Sequence, residues 1–394
     1  MEPDNAYDDM NNIQIKSCRI SGNQGGGILL AFWKLNHTGS PVSVDISDCY
    51  IGSNNNEGIV VDINSNGPVP GYVSFERCII EKQPGNGIFA NKRESLTLAF
   101  TNIVIRDVGI NGGTYDTPIF IQKQFDYTGH SVGNVNFDNV FIEDQLFNRD
   151  FLKISHWGEF AGVENIKGNF YVYNPNGVSY FVEPPLNNVN VTAQPLDTLP
   201  LAEVGVFTDD NTAYETGTDT TATFTVSRYA SEASFPLGVY FNVAGTAVNR
   251  LDYHYFPGSI VIPAYSSDTS YSIIAIEDEL LESFEDINLT IRTDDHYSFS
   301  NEMVQLFIGD MVLGRDNPES LMLTLYPNPA NDYIAINSEF IELRDIKIFN
   351  ALGQLIKVIK SGNSIIDISA LNSGIYYLQL YISGKKLAVK FIKE

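Results

Sequence analysis

Positive charge is scarce in this 394-residue chain: 24 Lys and Arg stand against 48 Asp and Glu, a formal net charge of −24. Such a field repels nucleic acid and anionic lipid, so neither is an expected partner. No run of eighteen apolar residues occurs, so no transmembrane helix is encoded. Long stretches with a helical apolar period are also missing, and with 31 glycines this favours β structure throughout. Cysteine is rare. Cys18, Cys49 and Cys78 leave one thiol over in any disulfide scheme. Without a CxxC spacing or an accompanying histidine cluster they also make a poor zinc set, and His37, His130 and His156 sit in unrelated contexts. The opening Met1-Glu2-Pro3-Asp4-Asn5 lacks the basic and apolar regions of a signal peptide.

What is present is repetition. Ile13-Gln14-Ile15-Lys16-Ser17-Cys18-Arg19-Ile20, Val44-Asp45-Ile46-Ser47-Asp48-Cys49-Tyr50-Ile51 and Val73-Ser74-Phe75-Glu76-Arg77-Cys78-Ile79-Ile80 superimpose, with the cysteines 31 (49 − 18) and 29 (78 − 49) residues apart. Each is followed by a Gly-Ile step, at Gly27-Ile28, Gly58-Ile59 and Gly87-Ile88. Short apolar strands divided by Asn and Gly turns at this period make a solenoid. Leu98-Ala99-Phe100-Thr101-Asn102 and Val135-Asn136-Phe137-Asp138-Asn139 match with one residue fewer before the corner, and Asn169 is a further member. Successive coils lie about 4.8 Å apart, so equivalent side chains form columns. Asn is expected to hydrogen-bond along its column and Cys to act as a small apolar filler.

Over residues 10 to 185 this pattern resembles the right-handed parallel β-helix of the pectate-lyase-like superfamily. The resemblance implies a long outer face able to bind carbohydrate or protein, and in many members polysaccharide cleavage. A lyase needs a base beside a cation, and a hydrolase needs clustered carboxylates. The catalytic candidates on that reading are Asp144, Arg149, Asp150 and Lys153, with Glu143, and Asp116, Lys123 and Asp126 beyond the longer loop Gly109 to Thr117. No motif specific to a lyase or a hydrolase is present. The short acidic run from Asp4 to Asp9 is a poor terminal cap, so further coils and an export signal are expected before Met1.

The middle of the chain carries the acid. From Glu203 to Asp310 there are 18 acidic and 3 basic residues, whereas Leu321 to Glu394 has 6 and 8. Period-two alternation at Thr221-Ala222-Thr223-Phe224-Thr225-Val226-Ser227 and Val239-Tyr240-Phe241-Asn242-Val243 argues for an immunoglobulin-like sandwich of about seven strands. Thr223 to Arg228, Gly245-Thr246-Ala247, Leu251-Asp252-Tyr253, Gly258 to Ala264 and the acidic run Ile276 to Glu285 together resemble a Calx-β domain. The resemblance implies Ca²⁺ held at one end by Glu215, Asp252, Glu277, Asp278, Glu282, Glu285 and Asp310, a chemistry suited to an ion that takes six to eight oxygens. Glu277 stands where the family has Asp, and the closing Asp-x-Asp is reduced to Asp310-Met311-Val312.

Tyr326-Pro327-Asn328-Pro329-Ala330, Ile348-Phe349-Asn350-Ala351-Leu352-Gly353-Gln354 and Gly374-Ile375-Tyr376-Tyr377-Leu378 form a compact set of short strands and turns. In order and spacing they resemble the type A C-terminal sorting domain of the Bacteroidetes type IX secretion system. That resemblance implies recognition by the secretion machinery and an extracellular or outer-membrane surface location. The expected organisation is all-β: a right-handed parallel β-helix over 1–185, a linker 186–200, an immunoglobulin-like Calx-β sandwich over 201–312, a linker 313–320, and a small C-terminal β-sandwich over 321–394. The expected partners are the type IX machinery, through 321–394, and a polysaccharide or another surface protein. The sandwich is expected to act as a Ca²⁺-stiffened spacer, and a polysaccharide lyase or glycoside hydrolase is the alternative to a non-catalytic scaffold.

Overall fold

The computed structural model describes residues 9–32, 41–63, 68–113, 115–123, 130–156, 161–229, 233–277, 284–309, 324–337, 344–350, 354–361, 365–382 and 385–394. Every regular element among them is a β-strand. The first part repeats one path: strand, left-handed corner, strand, turn, strand. One coil runs through Val42–Ser47, Tyr50–Gly52 and Ile59–Asp62, the next through Gly71–Glu76, Ile79–Gln83 and Ile88–Asn91. Successive coils pair in parallel, building a ten-stranded sheet that covers two faces and a six-stranded sheet on the third. This is a parallel β-helix.

The corner explains the repeat. Ser17, Asp48, Arg77, Asn102 and Asn139 all have φ between 49° and 56°, a region that costs least for Asn and Asp among residues with a Cβ. Thr101 pairs with Glu76 and Val104 with Ile79, so Asn102 lies opposite Arg77 and Ile103 opposite Cys78. The later coils therefore lose no residue before the corner, contrary to expectation. Asparagine takes the left-handed position itself, and aliphatic residues continue the cysteine column. The Asn139 backbone N–H donates to Asn169 Oδ1, and Asn169 Nδ2 to Asn139 Oδ1, each at 2.7 Å. Earlier in the column Arg77 holds Asp48 with two bonds of 2.7 and 3.1 Å. Cys49 and Cys78 are buried, and all three cysteines are free thiols.

Inside, Phe75, Phe100 and Phe137 stack with ring centroids 5.1 and 5.2 Å apart. The column ends at Gly168, the partner of Phe137. A Cβ on Gly168 would collide with the Phe170 ring, which turns back to fill that space 5.1 Å from Phe137. The segment expected as a linker from 186 is instead a rung: Leu186–Pro195 pairs in parallel with Val163–Tyr173 along most of its length. Its alternating Val189, Val191 and Ala193 pack against the core, so the solenoid runs about ten residues beyond its expected end.

Among the described residues the middle part is a sandwich of nine strands. Asp268–Ile274, Thr221–Arg228, Ala202–Asp210 and Tyr297–Asn301 form one sheet; Thr212–Tyr214, Met303–Gly309, Glu285–Ile291, Leu237–Gly245 and Ser259–Ile262 form the other. It is not a free-standing spacer. Tyr50, Ile79, Val104, Phe141 and Tyr171 occupy one register column on the outside of the β-helix, yet each is at most 5% exposed and belongs to the same apolar core as Phe235, Leu237, Tyr240 and Phe241 of the sandwich. The sandwich lies on that face. In the C-terminal part, a three-stranded sheet (Thr324–Tyr326, Tyr333–Asn337, Ile365–Asp367) and a four-stranded one (Leu355–Ser361, Arg344–Asn350, Gly374–Ile382, Lys385–Lys393) enclose a small core that includes Leu325, Ile334, Ile348, Leu378 and Phe391.

Candidate functional site

The charged residues singled out on the β-helix part company. Arg149 forms a fork on Asp144 (2.8 and 2.9 Å), and the same guanidinium donates to the carbonyls of Val108 (2.8 Å), Gly109 (2.9 Å) and Asp116. It ties the Gly109 to Thr117 loop to the next coil. Asp116 Oδ2 accepts the Gly113 N–H at 2.8 Å, Asp150 opens the Asp150–His156 strand opposite Ser179, and Lys123 is wholly buried. Asp126 lies outside the described residues.

Lys153 belongs to a different arrangement. On the outer face of the six-stranded sheet, Leu29, Val60, Phe89, Phe120, Lys153 and Phe181 form one register column. Tyr115 lies flat on Phe120, centroids 5.6 Å apart and planes 20° apart, and Lys153 Nζ stands 5.0 Å from the Tyr115 centroid. Leu29, Tyr115 and Phe181 are 46, 49 and 42% exposed. The next outward column, Asp62, Asn91, Gln122 and Ser155, is polar. Asn91 Nδ2 donates to Asp62 Oδ1 at 2.6 Å, while its buried Oδ1 meets no donor among the described residues. An apolar, partly aromatic strip beside a row of amides and hydroxyls suits a ligand with apolar faces and polar edges. A second, shallower groove of about 430 Å³ crosses the first face, lined by Asn136, Asp138, Lys167, Asn169, Asn190 and Thr192.

The sandwich gathers its acids at one end. Glu215 follows the Thr212–Tyr214 strand, its N–H bonded to Gly309 O at 3.0 Å, and Glu285 pairs with Ile308. Both therefore flank the end of Met303–Gly309, the strand that leads to Asp310. Asp252 O accepts the Ile276 N–H at 2.9 Å, which sets Glu277 beside it, while Asp252 Oδ2 accepts Val248 N–H at 2.5 Å. Topology thus brings four expected ligands to one rim on separate loops, although no three acidic, His or Cys side chains converge tightly enough to hold a metal among the described residues. Asp278, Glu282 and Asp310 lie outside those residues.

The most elaborate polar site was not foreseen. Arg106 sits between Glu81 and Glu143 in one outward column and bonds Glu81 (2.7 Å), Asp294 (2.9 Å) and Tyr240 Oη (2.7 Å), the last two from the sandwich. His296 completes the bridge, with Nδ1 at 2.6 Å from Asp294 and Nε2 at 2.8 Å from Glu143. Burial alone would raise the carboxyl of Glu81, but Arg106 and the Tyr240 hydroxyl outweigh it and hold it at about 2. Asp294 is driven lower still against the same burial by its bonds to His296 and Arg106. His296 moves the other way: burial and the Arg106 guanidinium, whose Nη1 stands 2.6 Å from the imidazole Nδ1, pull it down, but Asp294 and Glu143 prevail and raise it above an ordinary imidazole. A further buried ion is Lys92, whose amine burial pulls down to about 7 against the upward pull of Glu94 and Glu164. The column Tyr50, Ile79, Val104, Phe141, Tyr171 carried a signal for the interface, being apolar on what a bare solenoid would present to water.

Residues 324–394 match the family model of the secretion system C-terminal sorting domain. No curated protein matches the chain. Among solved structures, the apo form of the Calx CBD1 domain is similar at a TM-score of 0.24 and 15% identity, covering 28% of this chain and 98% of that one. The CBD12 calcium-binding domain of CALX1.1 has a TM-score of 0.25 and 13% identity, covering 45% and 80%. The Salmonella enterica SafA pilin in complex with the SafB chaperone gives 0.22 and 10%, covering 49% and 100%.

Proposed function

We propose that this is a secreted or cell-surface protein, exported by the type IX secretion machinery through its C-terminal sorting domain, whose β-helix binds carbohydrate on the outer face of the six-stranded sheet. The match over residues 324–394 supports the export. The observation that carries the binding role is the outward Leu29 to Phe181 column, exposed at Leu29 and Phe181 and covered at Phe120 by the exposed Tyr115 ring, with polar side chains alongside. Sugar rings lay their C–H faces on aromatic rings and their hydroxyls on neighbouring amides, and rungs about 4.8 Å apart repeat both contacts along an extended chain. Binding of the full chain to a panel of neutral and acidic polysaccharides, read by affinity electrophoresis, tests this. Tyr115→Ala and Phe181→Ala should each weaken the retained polysaccharide about tenfold, the equivalent of 1.4 kcal/mol. Retention of none of the panel, or equal retention by both variants, would overturn the reading.

The sandwich is proposed to bind Ca²⁺ through Glu215, Asp252, Glu277 and Glu285, together with Asp278, Glu282 and Asp310. Support comes from the meeting of Glu215, Asp252, Glu277 and Glu285 at one rim and from the 18 acidic against 3 basic residues between Glu203 and Asp310. An ion there would relieve the repulsion among carboxylates and so stabilise the fold. Melting of the full chain should rise in Ca²⁺ relative to chelator, by about 2.7 kcal/mol of stability when Ca²⁺ exceeds its Kd a hundredfold. Glu285→Gln should reduce that gain. Identical melting in both buffers excludes the site.

A further inference from the structure

We propose that the docking of the sandwich on the β-helix is a pH-dependent latch, in which protonated His296 bridges Asp294 and Glu143 across the interface and its deprotonation loosens the two parts. The geometry is that of a strained count of charges. His296 faces Asp294 on its own turn, Glu143 on the Val132–Glu143 strand, Arg106 and its neighbour Asp107 on Leu96–Val108, Glu81 with Lys82 on Ile79–Gln83, and Tyr240 on Leu237–Gly245, whose ring also carries Arg292. With a neutral imidazole, Arg106 alone must balance Glu81, Glu143 and Asp294 inside the interface, since Lys82 reaches only Glu81, at 3.2 Å, from a side chain that is 55% exposed. A protonated imidazole supplies the second interior cation. It is the only one of the pair that titrates near neutrality, because guanidinium does not.

Beside His296 lies a crevice of about 10 Å³ lined by Val104, Arg106, Phe141, Phe235 and Leu237, room for about one water. The Phe141 ring meets the imidazole edge-on at 5.9 Å, so the ring is fixed between its two carboxylates. Because the folded-state pKa of His296 is raised, its stabilisation is complete below the unfolded value of about 6.5 and is lost as pH rises through the folded value. Glu81 and Asp294 act in the opposite sense. Their folded pKa values are depressed, so their contribution is present above the ordinary carboxylate range and is lost only as pH falls toward about 2. Docking is therefore tightest from about pH 5 to about 6.5.

The reporter is the Ala264 amide, which donates across the interface to Asn102 Oδ1 at 3.0 Å. Hydrogen exchange of the full chain, corrected for intrinsic rates, should show its protection falling about tenfold for each unit of pKa elevation as pH goes from about 6 to about 8.5. In His296→Gln the protection should be low at both values. Equal loss of protection in the variant, or none in the wild type, overturns the latch. If His296→Gln does not fold, an NMR titration of the five histidines in the wild-type chain decides it. One imidazole, shifted by Glu143→Gln, must titrate above the ordinary value, and a midpoint at or below about 6.5 for that ring refutes the proposal.

Discussion

Phe100 lies between Phe75 and Phe137 with no exposed surface, so its truncation removes two ring contacts and leaves a void that flanking coils cannot close without breaking their ladders. Phe100→Ala should cost about 3–5 kcal/mol, read as a fall in the denaturant midpoint at unchanged slope. A cost under about 1 kcal/mol would mean that the stack is loosely packed. At the same scale the corner shows how far a sequence can be read. The repeated cysteines are conspicuous because identical residues are easy to align, and the burial of Cys49 and Cys78 as free thiols matches the filler role. The residue that the corner constrains is the one before them, where Ser17, Asp48, Arg77, Asn102 and Asn139 share a backbone angle and little else. Side-chain identity hid the equivalence, and only register revealed it.

Arg149 illustrates the level of the coil. An arginine beside two aspartates reads as chemistry, but three backbone carbonyls of the preceding coil need donors where the Gly109 to Thr117 loop leaves the ladder, and one guanidinium supplies them. Arg149→Leu would take the guanidinium from those carbonyls, of which Gly109 keeps the Gly112 N–H at 3.1 Å, and leave Asp144, whose side chain is 3% exposed, as an unpaired buried charge. The expected loss is about 3 kcal/mol in thermal or denaturant unfolding. A variant of wild-type stability that still lost a measured glycan-cleaving activity would return Arg149 to a catalytic role. The strand Leu186–Pro195 was obscured for a related reason. Pro184, Pro185 and Pro195 bracket it like a linker, yet proline is compatible with the ends of an edge strand, and the alternation of Val189, Val191 and Ala193 between them is that of a rung.

For the whole molecule, composition and repeats point to a solenoid, an acidic sandwich and a C-terminal unit. They could not show that the first two are joined. Arg106 and Asp294 are 188 residues apart, and nothing local to either announces the other. The aromatic strip around Tyr115 was missed likewise, since its members fall on successive coils and align only when the coils are stacked. One outer face is thus sealed beneath the sandwich, whereas among the described residues no strand covers the outer face of the six-stranded sheet.

The sealed face has a further consequence for how such a molecule can diversify. A whole coil gained or lost preserves every column, so solenoids readily change length by duplication. Between Glu81 and Glu143, however, one more coil would carry one end of the charge ladder about 4.8 Å away from Asp294, His296 and Tyr240, which sit on a sandwich of fixed size. The flanking coils are tied as well, since the Tyr50 and Tyr171 rings lie in the apolar core of the sandwich and the Tyr171 hydroxyl bonds that of Tyr265. Lineages descended from this chain should thus vary in coil number toward the ends of the solenoid and keep it constant at the waist.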